Sequence, residues 1–170
     1  FKGHCTDVWF ENAQRFMTES SASGKPFFCY LPTNAPHGPM WAPDKYTAMY
    51  EGVKGLREPG FYGMITHIDD AMARLAQFLD QHGLSGNTIL IFMTDNGTAD
   101  GVQFDEKGNA KAGFNAGMRG TKISEYDGGH RVPCFVFWPG AGISGGRELD
   151  RLAAHFDLLP TLIELCGLTP

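Results

Sequence analysis

No apolar run in the 170-residue sequence is long enough to cross a membrane as a helix. The longest, such as TILIFM (88–93) and PCFVFW (133–138), are strand-sized, against roughly 18 to 20 residues for a span. Positive charge is also scarce. Lys and Arg number 14 against 19 Asp and Glu, a formal net charge of −5 at pH 7. With no basic stripe to neutralise a phosphate backbone, no nucleic-acid partner is expected. Cysteine is limited to positions 5, 29, 134 and 166, whose irregular separations exclude a CxxC zinc pair and a dense disulfide framework. Cys29 and Cys134 lie inside apolar runs and are expected as buried free thiols. An initiator methionine and a signal peptide are both missing from the opening FKGHCTD, so the chain is expected to be part of something larger.

What is present is the composition of one globular core: 42% hydrophobic and 12% aromatic residues. Many of the 22 glycines fall between 95 and 146, which predicts turns and close backbone approaches there. Apolar Trp9, Ala13, Phe16 and Met17 recur at helical spacing behind Thr6-Asp7, predicting an amphipathic helix to about Ser20. PFFCYL (26–31) reads as a strand buried on both faces. The four prolines of PTNAPHGPMWAP (32–43) make a stiff loop, and DKYTAMYE (44–51) is read as adding a short helix. From about Gly60 to His82, residues 61, 64, 65, 68, 72, 75, 78 and 79 trace one helical face, closed by Gly83. NTILIFM (87–93) and PCFVFW are further buried strands, and a last helix starts at Asp157 with Pro160 in its first turn and Gly167 beyond its end. Strands alternating with helices predict an α/β sandwich with a mainly parallel sheet, whose ligands bind beyond the carboxyl ends of the strands.

Asp95 and Asn96 follow ILIFM directly, at such a strand end. Two adjacent oxygen donors suit a hard cation such as Ca²⁺ or Mg²⁺ rather than zinc; turn chemistry alone also accounts for a DNG. His37, in the proline-stiffened loop after the first strand, can donate a proton or hydrogen bond to an anionic ester. Lys122, just ahead of the third strand, offers a point charge for a tetrahedral oxyanion. Each has a plain alternative as a solvated loop residue. GISGG (142–146) formally matches a nucleophile elbow with Asp150 and His155 behind it, but Pro139 and several loop residues separate Ser144 from its strand. His130 could line a pocket or cap a turn. His67, Asp69 and Asp70 sit mid-helix, where adjacent side chains diverge, and are read as helix faces and packing.

Four blocks in order carry a resemblance: KPFFCYLPTNAPHGP (25–39), IDDAMARLAQFLDQHGLSGNTILIFMTDNG (68–97), RGTKISEYDGGHRVPCFVFWPG (119–140) and HFDLLPTLIELCGL (155–168). Together they resemble the middle-to-late part of the sulfatase catalytic domain, arylsulfatase-like and formylglycine-dependent. The resemblance implies a three-layer alkaline-phosphatase-like α/β sandwich, incomplete in this chain. It implies hydrolysis of a small-molecule or glycan sulfate ester, with Asp95 and Asn96 as half of a calcium site (Mg²⁺ being the lesser alternative). His37 then contacts the sulfate and scissile oxygen, and Lys122 binds a sulfate oxygen. A periplasmic, secreted or lysosome-like setting also follows from it. Where the family often has EGG, this chain has Asp127-Gly128-Gly129. The C/S-x-P/A-x-R setting from which sulfatases make formylglycine is not found around any cysteine or serine. The nucleophile and the remaining ligands are therefore expected upstream, and residues 1–170 are expected to be an inactive fragment of the domain. The alternatives are a phosphatase, phosphodiesterase or phosphonate hydrolase of the same superfamily, and a non-catalytic relic that binds anions or a partner.

Overall fold

A computed structural model describes residues 2–169. Helix α1 spans Cys5–Ala22, with Asp7 in its first turn where the helix dipole favours negative charge. Gly24, at φ +66°, lets the chain leave the helix, and Lys25 N–H then closes on the Ser20 carbonyl at 3.0 Å. Its buried stripe is Thr6, Phe10, Ala13 and Met17. The expected face was rotated from this: Ala13 and Met17 are buried, but Phe16 is 43% exposed. Apolar spacing fixes that a face exists, while the neighbour on which it packs selects among its edge residues.

That neighbour is the long helix α3, Pro59–Gln81, reached through the short helix α2, Asp44–Thr47. Pro59 occupies the first turn of α3, where a missing N–H costs nothing, and Gly83 at φ +67° ends it. Ala71, Leu75 and Leu79 of α3 pack on Phe10, Ala13 and Met17 of α1. Burying a Leu or Met side chain of this kind contributes about 1.5–3 kcal/mol. A second cluster joins Met64 and Ile68 to Ala35, with Met40, Ala42 and Phe92 packed against it. His67 is buried between the helices, its Nε2 2.9 Å from the Asp7 carboxylate and its ring stacked on Tyr46 at 4.8 Å. Tyr46 in turn donates to Asp70 at 2.7 Å. These groups therefore pack α1, α2 and α3 together, as their mid-helix position suggested.

Residues 26–31 run without regular secondary structure. Phe27, Cys29 and Leu31 pack on the α1/α3 core while Phe28 and Tyr30 are 75% and 78% exposed. The alternation is that of an extended chain, but one face is open, so the expected burial on both faces does not hold; the chain has no ladder partner here among the described residues.

Strand β1, Leu90–Met93, pairs with β4, Cys134–Phe137, and the two-residue strand β2, Gln103–Phe104, pairs with β3, Ala110–Ala112. Both pairings are antiparallel, where a mainly parallel sheet was expected. The cause is the path of the chain between β1 and β4. A parallel pair needs a crossover along the sheet face, whereas here the intervening loops are tied back onto the residues that follow β1. The short helix α4, Asp127–His130, belongs to that tie: Gly97 N–H bonds the Gly129 carbonyl at 3.0 Å. β4 consequently starts where β1 ended, with Met93 opposite Cys134 and Leu90 opposite Phe137. β4 is exposed along its length and Cys134 with it, contrary to the expected buried strand and buried thiol. The α1/α3 layer reaches Leu90 and Phe92 of β1 but leaves β4 uncovered.

The chain ends in helix α5, Leu158–Leu165, preceded by a 3₁₀ turn at His155–Asp157. Asp157 Oδ2 accepts the Ala154 N–H at 2.8 Å, Pro160 lies in the first turn and Gly167 adopts φ +64° after the last. No residue of α5 is buried.

Candidate functional site

The residues after β1 leave the strand as a polar loop whose conformation is set by glycine contacts. A Cβ at Gly97 would overlap the Gly128 carbonyl, and one at Gly128 would overlap the Gly120 carbonyl. No side chain could stand at either position with these backbones so close. The third glycine, Gly129, receives the Gly97 N–H. Thus the glycine of TDNG and the pair in YDGGH form one backbone junction. The adjacent Thr98 carbonyl accepts both the Lys122 N–H, at 2.9 Å, and the Thr121 hydroxyl.

This junction fixes the 94–98 loop, which carries Asp95 and Asn96, against the 119–129 strap, which carries Lys122. Asn96 Nδ2 donates to Asp95 Oδ2, so the polar ends of the two side chains converge. Exchanging the amide's nitrogen and oxygen by a half-turn about its last torsion would present two oxygens side by side. Such a donor set fits a hard cation. Among the described residues no three His, Cys, Asp or Glu side chains form a ligand cluster, so this pair can supply only part of the six to eight oxygens that Ca²⁺ takes. Lys122 is half-buried, and no ion pair involves it among the described residues.

His37 is exposed, its Nδ1 3.0 Å from the Gly38 carbonyl. Its loop is held to β1 through packing rather than polar contact: Ala35 and Met40 belong to the cluster that includes Phe92. The structure therefore brings Asp95 and Asn96 together, ties their loop to that of Lys122 by hydrogen bonds, and sets the His37 loop against the same strand. No hydrogen bond joins His37 to the other three among the described residues.

Several supports were not foreseen. His155 Nε2 lies 2.8 Å from the Thr94 carbonyl and so steadies the residue before Asp95. In the sequence it stood out only as a formal partner of Ser144 and Asp150. Ser144 is exposed in the turn beyond the Trp138–Ile143 bridge, and nothing there forms an elbow. His130 Nε2 lies 3.1 Å from the Glu125 carbonyl, the turn-capping alternative. Ile123, next to Lys122, is 95% exposed at φ +81°, a strained setting for a β-branched residue; nothing in the sequence signals it. A groove of about 430 Å³ between α1 and α3, lined by Asp7, Glu11 and Arg74 among others, contains none of the four candidate residues.

Comparison with known proteins gives the family. The family model described as Sulfatase matches residues 2–168, and the chain belongs to the sulfatase family. It is 30% identical to the N-acetylgalactosamine-6-sulfatase of Sus scrofa over 170 residues, covering 99% of this chain and 30% of that protein. To arylsulfatase A of Bos taurus it is 31% identical over 155 residues, covering 91% of this chain and 28% of the relative. Among solved structures, Ps i-CgsB in complex with k-i-k-neocarrahexaose superposes with a TM-score of 0.84 at 29% identity, over all of this chain and 36% of that one. The sequence thus spans about a third of the length of these relatives.

Proposed function

We propose that the protein hydrolyses sulfate monoesters, with sulfated glycans as its substrate class. The observation that carries this is the glycine junction, which holds two hard oxygen donors and a lysine with no ion pair among the described residues on loops hydrogen-bonded to one another at one end of β1. A donor pair suited to a hard cation and an ammonium on neighbouring loops suit a tetrahedral anionic group. The glycan preference rests on the resemblance to N-acetylgalactosamine-6-sulfatase and to a structure holding a neocarrahexaose.

In this reading Asp95 and Asn96 would hold part of the coordination shell of Ca²⁺, which when bound would supply Lewis-acid polarisation of a sulfate oxygen. Lys122 places its positive charge against a further oxygen, stabilising charge that grows as the ester bond stretches. His37 donates a hydrogen bond to the scissile oxygen or transfers a proton to it, and with the proton transferred the alcohol leaves neutral. The nucleophile is assigned to no residue of this sequence, and residues 1–170 by themselves are expected to turn over no substrate.

The test is hydrolysis of 4-nitrophenyl sulfate by the intact protein in the presence of Ca²⁺. Asp95→Ala and Lys122→Ala should each lower the rate a hundredfold or more, as loss of about 3 kcal/mol of transition-state stabilisation requires. Unchanged rates would remove both residues from the site. Faster cleavage of 4-nitrophenyl phosphate than of the sulfate would favour a phosphatase of the same superfamily.

A further inference from the structure

Arg119 precedes Lys122 by three residues and does not behave as a solvated surface arginine. Its Nε donates to the Lys107 carbonyl at 2.9 Å, in the turn between β2 and β3. The guanidinium lies over the Tyr126 ring at 3.8 Å from the centroid. Its backbone is fixed on both sides: the Arg119 carbonyl accepts the Gly128 N–H at 2.8 Å, and the Gly120 N–H bonds the Gly108 carbonyl at 2.8 Å. The neighbouring Asn115 is buried and donates to the Met118 and Gly120 carbonyls. The plane and direction of the guanidinium are thus set before any ligand arrives.

Only one of its five N–H donors is used in these contacts. The two terminal nitrogens have no hydrogen-bond or carboxylate partner among the described residues, although the residue is exposed. Of the two acids in the hairpin, Asp105 is occupied elsewhere, accepting the N–H groups of Lys107 and Asn109 at 2.9 Å each, and Glu106 forms no ion pair with Arg119 among the described residues. A planar fork held rigid, with its paired donors free, matches a sulfate or carboxylate bidentately and loses little entropy on binding it. Three residues of extended chain separate the Arg119 and Lys122 α-carbons by at most about 11 Å.

We propose that Arg119, seated on Tyr126, is a second anion subsite beside the sulfate-cleaving centre. It would bind a sulfate or carboxylate of the substrate that is not itself cleaved, and so select polyanionic oligosaccharides over singly charged esters. The inference rests on the sulfatase reading above and adds to it the charge pattern of the substrate.

The test compares three forms of one disaccharide with the intact protein: monosulfated, disulfated, and monosulfated with a carboxylate on the second sugar. The wild type should show a higher kcat/KM for either doubly charged form than for the monosulfated one, by about tenfold to a hundredfold, the worth of a charge-assisted contact. Arg119→Gln should lower kcat/KM for the doubly charged forms by that factor relative to 4-nitrophenyl sulfate, mainly through KM. Arg119→Lys, which keeps the charge but not the fork, should lose most of the same preference. A preference for only one of the two forms identifies which anion the fork takes. Equal wild-type rates on singly and doubly charged forms would overturn the subsite without recourse to a variant. So would an Arg119→Gln loss of the same size on every substrate, since that is a structural effect. Should the protein cleave no sulfate ester, the proposed function fails, and calorimetric titration with the disulfated disaccharide decides the subsite alone: binding weakened tenfold or more in Arg119→Gln supports it, and equal binding overturns it.

Discussion

Replacing Gly97 by alanine probes the junction on which the site is built. The added Cβ would overlap the Gly128 carbonyl oxygen, with the carbonyl carbon at 2.7 Å and Gly129 C at 3.1 Å, where ordinary contact begins at 3.4 Å. Both partners are backbone, so no side chain can swing aside. The α4 turn must retreat by about 0.7 Å or more to restore contact with the carbonyl carbon alone. That movement strains the 3.0 Å bond from Gly97 N–H to Gly129. Overpacking costs about 1–3 kcal/mol and a weakened hydrogen bond about 1 more, giving about 2–4 kcal/mol in all. Gly97 does not have a positive φ, so the penalty is one of space. Gly86 is the control, because a Cβ there meets nothing within 4 Å and its φ is not positive either. Urea unfolding followed by tryptophan fluorescence should therefore place Gly97→Ala about 2–4 kcal/mol below the wild type, and Gly86→Ala within about 1 kcal/mol of it. Hydrolysis of 4-nitrophenyl sulfate should fall about a hundredfold in Gly97→Ala, since the shift separates the Asp95 loop from the Lys122 strap. If the two alanine variants unfold and react alike, the junction does not hold the site together.

Ile123→Gly should raise stability by about 1 kcal/mol in the same unfolding experiment, because glycine accepts φ +81° without strain and the side chain is almost wholly exposed; a loss of stability would show that the isoleucine makes a contact worth more than its strain. The Asp105 carboxyl is held below its usual value of 3.8, chiefly by the Asn109 N–H and also by that of Lys107. Its contribution to the β2–β3 hairpin is then in place above about pH 4 and disappears as the pH falls through the lowered folded value. A carboxyl-carbon NMR titration should give a midpoint below 3.8 for Asp105, and one at or above it would contradict the bonding described.

The helices were legible because burial leaves a periodic mark. The α3 face at Phe61, Met64, Ile68, Leu75 and Leu79 is buried as the spacing predicts, while Ile65, at its edge, is 42% exposed. The candidate site was legible in part, as short polar motifs at strand ends. Asp95, Asn96 and Lys122 fall on loops that hydrogen-bond to each other, and the His37 loop packs on β1. Strand burial was misread at β4 and at residues 26–31, since an apolar run states that a segment can be buried and does not state what covers it. The contacts that His155, Arg119 and Tyr126 make left no local signal, because their partners lie 61, 12 and 7 residues away in sequence.

By itself, the sequence determined where helices begin and end, which segments are apolar enough to extend, and which oxygen donors and cations stand at strand ends. These follow from backbone sterics and local patterning, which act over a few residues. Only the tertiary structure decided that β1 and β4 run antiparallel, that Gly97 meets Gly128 and Gly129, and that Arg119 is held over Tyr126. Each of those depends on segments distant in the chain closing on one another, and the free energy of such closure belongs to the packed whole rather than to any one stretch of residues.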